Sequence, residues 1–166
     1  MDAGVDRSDL NLAERLRAIE DRLEIEELAA TYCQWFDDHR WQEIVTELFA
    51  DNAVFDILAR VEGRDAIAAF FDEVTREGLG ATWHYDMNRR ICVAGDEASV
   101  ESMFFVPCTR GAEPWLAAGR YTDTLRRIDG RWRYTLKRGR FDYFVPLGEG
   151  WSAGAWGFDA ARRAAR

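Results

Sequence analysis

The sequence predicts an α+β domain in which N-terminal helices pack on one face of a curved, mainly antiparallel sheet and close it into a cone-shaped barrel. Three observations predict it. Apolar residues recur at helical spacing through the first half of the chain, the rhythm changes to period two after Gly80, and turn signals at Gly95-Asp96, Gly111 to Pro114 and Asp129-Gly130 divide the second half into extended segments. Consecutive strands joined by such short turns pair antiparallel, and helices gathered ahead of a meander, instead of alternating with strands, give an α+β layer arrangement. At 166 residues one core suffices. The chain therefore reads as a single domain over 1–166, with 1–19 as a helical extension and 148–166 as a Gly- and Trp-rich tail.

Each element has its own signal. Asn11 is a candidate N-cap with Glu14 three residues on. From there Leu12, Leu16, Ile19 and Leu23 recur at steps of four, three and four, and Leu28, Tyr32 and Phe36 are read as continuing the stripe, which predicts one long amphipathic helix. The pattern stops near residues 37–40, and Trp41 to Phe49 reads as a second, short helix. Val54, Phe55 and Ile57 predict a strand and Gly63 a turn. Asp65 to Glu77 reads as a third helix with Ile67, Phe70, Phe71 and Val74 on its apolar side, terminated by Gly78 and Gly80. Four extended segments are expected near 81–93, 97–108, 115–127 and 131–145. The aromatic tail (Trp151, Trp156, Phe158) is expected to dock over a pocket mouth or on a neighbouring subunit.

Composition narrows the function. Lys and Arg number 22 against 30 Asp and Glu, so the net charge of −8 argues against nucleic acid or an anionic membrane as partner. Aromatics reach 13% with seven Trp, more than a core this size needs, and such rings suit an apolar pocket for a small ligand. Three cysteines without CxxC spacing (Cys33, Cys92, Cys108) and an acidic N-terminus without a signal pattern point to a reducing, cytoplasmic setting. With only His39 and His84, and no HExxH, EF-hand loop or Cys cluster, no metal cofactor is expected. No P-loop, GxSxG or strand-borne GxGxxG occurs either. The stripe from Leu12 to Leu23 together with the aromatic tail exceeds what one small domain should bury, which predicts a homo-oligomer, a trimer ahead of a dimer.

An acid–base site is the remaining candidate. His84 falls early in the first meander strand, and alternation places Asp86 and Asn88 on its face. A lone strand histidine is more often structural. Asp37 meets the negative end of a helix dipole, a placement that gains nothing from the helix and invites a functional reason. Tyr32, one turn before Phe36, is either a core ring or a pocket hydroxyl.

The runs AATYCQWFDDHRWQEIVTELFADNAVFDI, VEGRDAIAAFF, TWHYDMNRRICV, AAGRYTDTLRRIDGRWRY and FDYFVPL resemble the SnoaL-like group of the nuclear transport factor 2-like superfamily over about residues 20–147. Within it the pattern is most similar to hexachlorocyclohexane dehydrochlorinases and less so to scytalone and bile-acid 7α-dehydratases. That resemblance implies a cone-shaped fold, no cofactor, frequent trimers, and a cofactor-free lyase eliminating water or HCl from a small cyclic, mostly apolar substrate. It assigns the paired Asp to Asp37 and the general base His to His84, the dehydratase Tyr to Tyr32, and the basic residue of the last strand to Lys137, with Arg138 and Arg140 one slip away. Two expected features are missing: the carboxylate of bile-acid dehydratase would fall near Pro107, and scytalone dehydratase's second His has no counterpart. Candidate lining residues are Trp35, Phe55, Trp83, Asn88, Phe104, Trp115 and Phe144. Two other readings stay open: a structural subunit like the β subunits of aromatic-ring hydroxylases, and an isomerase or polyketide cyclase with Asp37 as base.

Overall fold

The computed structural model describes residues 11–149. Helix α1 (Leu12–Asp37) opens with a complete capping box, in which the Glu14 amide donates to the Asn11 side chain at 3.1 Å and the Asn11 amide to the Glu14 carboxylate at 2.8 Å. It stops because His39 takes a left-handed backbone conformation (φ 57°). The amides of His39 and Arg40 then donate back to the carbonyls of Phe36 (3.1 Å) and Trp35 (2.8 Å), the Schellman arrangement that satisfies a last helical turn. Asp37 is thereby the final residue of α1. Helix α2 (Trp41–Glu43) runs on into one wide π turn over Ile44–Leu48, and α3 spans Arg64–Arg76.

The single stripe expected along α1 is in fact two. Leu28, Tyr32 and Phe36 are buried, whereas Leu12, Leu16, Ile19 and Leu23 are exposed. Five residues separate Leu23 from Leu28, and at about 100° per residue that gap turns the pattern by roughly 140°. The two halves of the helix therefore present apolar surface in nearly opposite directions, and only the C-terminal half packs on the domain.

Among the described residues seven strands form one curled sheet: β1 (Phe49–Asp56), β2 (Arg60–Glu62), β3 (Leu79–Thr82), β4 (Tyr85–Ala94), β5 (Glu97–Arg110), β6 (Glu113–Ile128) and β7 (Arg131–Pro146). The order is β2-β1-β7-β6-β5-β3, with β4 also on β5. Among the described residues only β1 and β7 run parallel, so the sheet is mainly antiparallel as expected. Asp129 (φ 50°) and Gly130 (φ 78°) make the two-residue β6–β7 turn whose handedness matches strand twist. Register shifts in the β6–β7 pair between Ala118 and Gly119 and between Thr124 and Leu125 bend these long strands. Gly119 tolerates no side chain, because a Cβ there would run into the Arg140 carbonyl and the Phe104 ring.

Two differences from the expected strands matter for the site. Strand β2 is additional to those expected, and the segment expected over 81–93 is broken, with Trp83 and His84 lying between β3 and β4. The break lies where β5 carries Pro107, which has no N–H to give to a ladder; Trp83 donates to the Pro107 carbonyl at 3.0 Å, and regular pairing resumes at Tyr85. The main core, around Ile25, Ile44, Phe49, Ile67, Phe71 and Tyr134, lies between helices and sheet, and a smaller cluster on β5 and β6 centres on Phe104, Val106 and Tyr121. The expected C-terminal tail falls outside the described residues except for its first two.

Candidate active site

The end of α1 and the gap between β3 and β4 bring Asp37 and His84 together, 47 residues apart in sequence. Because His84 has left the strand ladder, its backbone N–H donates to Asp37 Oδ2 at 2.8 Å. Its Nδ1 lies 2.6 Å from Asp37 Oδ1, and Thr82 Oγ1 donates to the same oxygen at 2.8 Å. A carboxylate only accepts, so Nδ1 carries a proton; in the neutral imidazole the lone pair is then on Nε2. Among the described residues nothing hydrogen-bonds Nε2, and the edge of the imidazole packs on Phe36 with ring centroids 4.8 Å apart. Burial alone would raise the Asp37 pKa, but the hydrogen bonds from His84 and Thr82 outweigh it and hold the carboxyl below the usual range. Those bonds also offset the unfavourable helix end on which Asp37 sits.

The His84 ring, with its side chain only 8% exposed, stands between two spaces. On one side is a cavity of about 80 Å³ inside the half-barrel. On the other is an open cleft lined by Cys33, Gln34, Asp37, Asp86 and Arg89. Asp37, 25% exposed, borders only the cleft. No carboxylate, ammonium or guanidinium group borders the cavity among the described residues; its polar groups are the His84 imidazole, the hydroxyls of Tyr32, Tyr121 and Thr82, and the Cys108 thiol. Burial pushes that thiol up to about 11 and the Cys33 thiol up to about 12, which leaves both protonated and unreactive at neutral pH. Cys92, unlike these two, is exposed.

Of the residues singled out from sequence, Tyr32, His84, Phe55, Phe104 and Phe144 line the cavity. Trp115 packs on Phe144 one layer away, with ring centroids 5.1 Å apart. Trp83 is half exposed on the outside, and Trp35 lies under the Arg40 guanidinium. Asn88 does not share the face of His84: it has a left-handed backbone (φ 57°), is exposed, and donates to Met103 Sδ at 3.7 Å. Arg138 pairs with Asp56 at 2.8 Å and Arg140 is exposed, so neither reaches the cavity.

Lys137 is fully buried but behind the cavity wall. Its Nζ donates to Asp123 Oδ2 at 3.0 Å and lies 4.2, 4.1 and 4.8 Å from the ring centroids of Tyr32, Tyr121 and Tyr134. The Arg138 amide donates to the other Asp123 oxygen at 3.1 Å. Burial pushes the Asp123 carboxyl up while Lys137 pulls it back, and burial raises all three tyrosines well above the ordinary phenol. Sequence reasoning missed Thr82, Tyr121 and the aromatic wall of Phe36, Phe70, Phe71 and Phe141. Helical spacing marks Phe36, Phe70 and Phe71 as apolar but does not separate cavity wall from core.

A model of the SnoaL-like domain matches residues 17–138. The chain belongs to the SnoaL-like domain family. Its fold is that of the nuclear transport factor 2-like superfamily. Among solved structures it is similar to the LinA-type3 hexachlorocyclohexane dehydrochlorinase of Novosphingobium barchaimii, at 22% identity and TM-score 0.72 over 80% of this chain and 94% of that one. A candidate scytalone dehydratase of Novosphingobium aromaticivorans matches at 23% identity and TM-score 0.69, over 78% of this chain and 88% of that one. A candidate aromatic ring hydroxylase of the same organism matches at 27% identity and TM-score 0.70, over 78% and 94% respectively. No curated protein matches the chain. No described helix is long and apolar enough to cross a membrane.

Proposed function

We propose that this SnoaL-like protein is a cofactor-free lyase, of the dehydratase or dehydrohalogenase type, acting on a small cyclic and mostly apolar substrate. The observation that carries the reading is the imidazole of His84 at the wall of an apolar cavity, with Nδ1 held by Asp37 and Nε2 free. In this mechanism Nε2 removes a proton from the carbon beside the leaving group. The C–H electrons become the new double bond, and the leaving group departs with its own bonding pair. A halide leaves as the anion, whereas a hydroxide takes a proton from the hydroxyl of Tyr32 or Tyr121. Lys137 acts through those rings: its ammonium on their faces draws electron density and favours hydrogen-bond donation. Asp37 stabilises the imidazolium by holding its Nδ1 proton, and the abstracted proton passes from Nε2 to the tyrosinate, or out with the departing halide, which restores the starting tautomer. With no carboxylate, ammonium or guanidinium on its wall among the described residues, the cavity suits a neutral ligand.

The experiment is a panel of hydroxylated and halogenated rings assayed for halide release and for the absorbance of the new double bond. A substrate turned over by the wild type and lost about 10²–10⁴-fold in His84→Ala supports the reading, and equal turnover in the variant ends it. A second reading, a structural subunit, draws on the likeness to a candidate ring hydroxylase. It predicts co-purification with a partner subunit and no effect of His84→Ala on that complex. The isomerase reading requires Asp37 as the base, yet His84 stands between that carboxylate and the cavity. The cytoplasmic setting and a homo-oligomer remain part of this proposal.

A further inference from the structure

We infer that the outward apolar face of α1 pairs, side by side and in parallel, with the same face of a second copy of this chain. Leu12, Leu16, Ile19 and Leu23 are 80%, 53%, 56% and 64% exposed. Their steps of four, three and four are those of a two-helix seam, and they point away from the side on which α1 packs its own domain. Every residue from 11 to 20 is exposed, yet this overhang begins with a complete capping box. A helical stretch of that length is marginal in water without a packing partner. Its root is fixed: Arg127 pairs with Asp21, and Arg22 donates to the Ile91 carbonyl at 2.7 Å.

Charge selects the partner and its direction. Along the seam, Arg15 and Arg22 flank one side and Glu20 and Glu27 the other. In a parallel pair each flanking residue meets the one five positions further along the other helix, which sets Arg15 against Glu20 of the partner subunit, while Arg22 stays on the Ile91 carbonyl. Antiparallel pairing would set the arginine rows against each other. Beyond Leu23 the next seam position is Glu26, already paired with Arg89 at 2.6 Å, so the seam ends after about three turns and the association should depend on concentration in the micromolar range.

The test uses the full chain with Cys92→Ser, since Cys33 and Cys108 are buried. Leu16→Cys sits on the seam, facing its own counterpart, and Ala18→Cys sits on the other side of the same turn. Mild oxidation should link the Leu16→Cys chains into dimers and leave Ala18→Cys at the monomer mass of 19.1 kDa. Glu20→Arg should weaken association in light scattering at least tenfold, and adding Arg15→Glu should restore it. Equal linking of the two cysteines, or no restoration by the charge exchange, overturns the inference. So does a face covered by the chain's own residues 150–166, which would leave Leu16→Cys unlinked and the mass monomeric.

Discussion

Asp37→Asn separates the proposed role of Asp37 from simple support of the fold. Two carboxylate oxygens accept three hydrogen bonds, from the His84 amide, His84 Nδ1 and Thr82 Oγ1. Asparagine keeps one oxygen. If that oxygen replaces Oδ1, the new NH₂ faces the His84 backbone N–H, and a donor against a donor in a partly buried site costs about 1–3 kcal/mol. If the amide is reversed, its oxygen takes the backbone N–H and its NH₂ faces Nδ1 and the Thr82 hydroxyl, both of which can accept. The second arrangement leaves no bond unmade, on one condition: the imidazole proton moves to Nε2. The variant then folds with a stability loss of about 1.5–3 kcal/mol for the charge-assisted bond, and its base points the wrong nitrogen at the cavity. Turnover should fall about 10²–10⁴-fold, or roughly 3–5 kcal/mol of barrier. Long-range proton–nitrogen NMR of the His84 ring reads the tautomer without a substrate. At about pH 8, above the ordinary imidazole range, the proton should sit on Nδ1 in the wild type and on Nε2 in the variant. The same tautomer in both proteins would refute the orienting role, whatever happens to activity.

The buried charges lead to two more expected outcomes. Lys137→Met should cost about 3–5 kcal/mol in urea unfolding, because it strands a buried carboxylate, and adding Asp123→Asn should recover most of it while the asparagine oxygen keeps the Arg138 amide. Additive losses in the double variant would contradict the pairing. The single-variant penalty should shrink toward acid, since a carboxyl raised by burial favours the fold when protonated and loses that advantage as pH rises through its folded pKa. Asp37 has the opposite sign. Its folded pKa lies below the unfolded value of 3.8, so its contribution is full above about pH 4 and is lost as pH falls through the lower folded value. The stability difference between wild type and Asp37→Ala, followed by circular dichroism against pH, should therefore close below about pH 4; a constant difference would mean that the carboxylate is not held by these bonds.

How far the site was legible depends on whether position in sequence determines position in space. The order of helices and meander strands came from periodicity, because each element declares its own period. Asp37 and His84 were picked out as a pair through family resemblance, and the helix end did supply an independent hint, a carboxylate at the wrong end of a dipole. Thr82 left no such hint. Its hydroxyl reaches Asp37 only because β3 stops there, and the one visible cause is Pro107, on a strand that pairs with it from 25 residues further along. The choice of Lys137 over Arg138 and Arg140 rests on the resemblance alone, for a different reason. In β7, Trp132 and Tyr134 are buried, and strict alternation would then bury 136, 138 and 140. The register slips by one between Tyr134 and Leu136, so the buried positions become Lys137 and Gly139. A one-residue bulge thus exchanged a buried ammonium for an exposed guanidinium, and nothing in the local sequence of β7 announces it. The bulge is required by the curvature that makes the cavity, so in this fold the residues hardest to place from sequence are those on the strands that bend around the site.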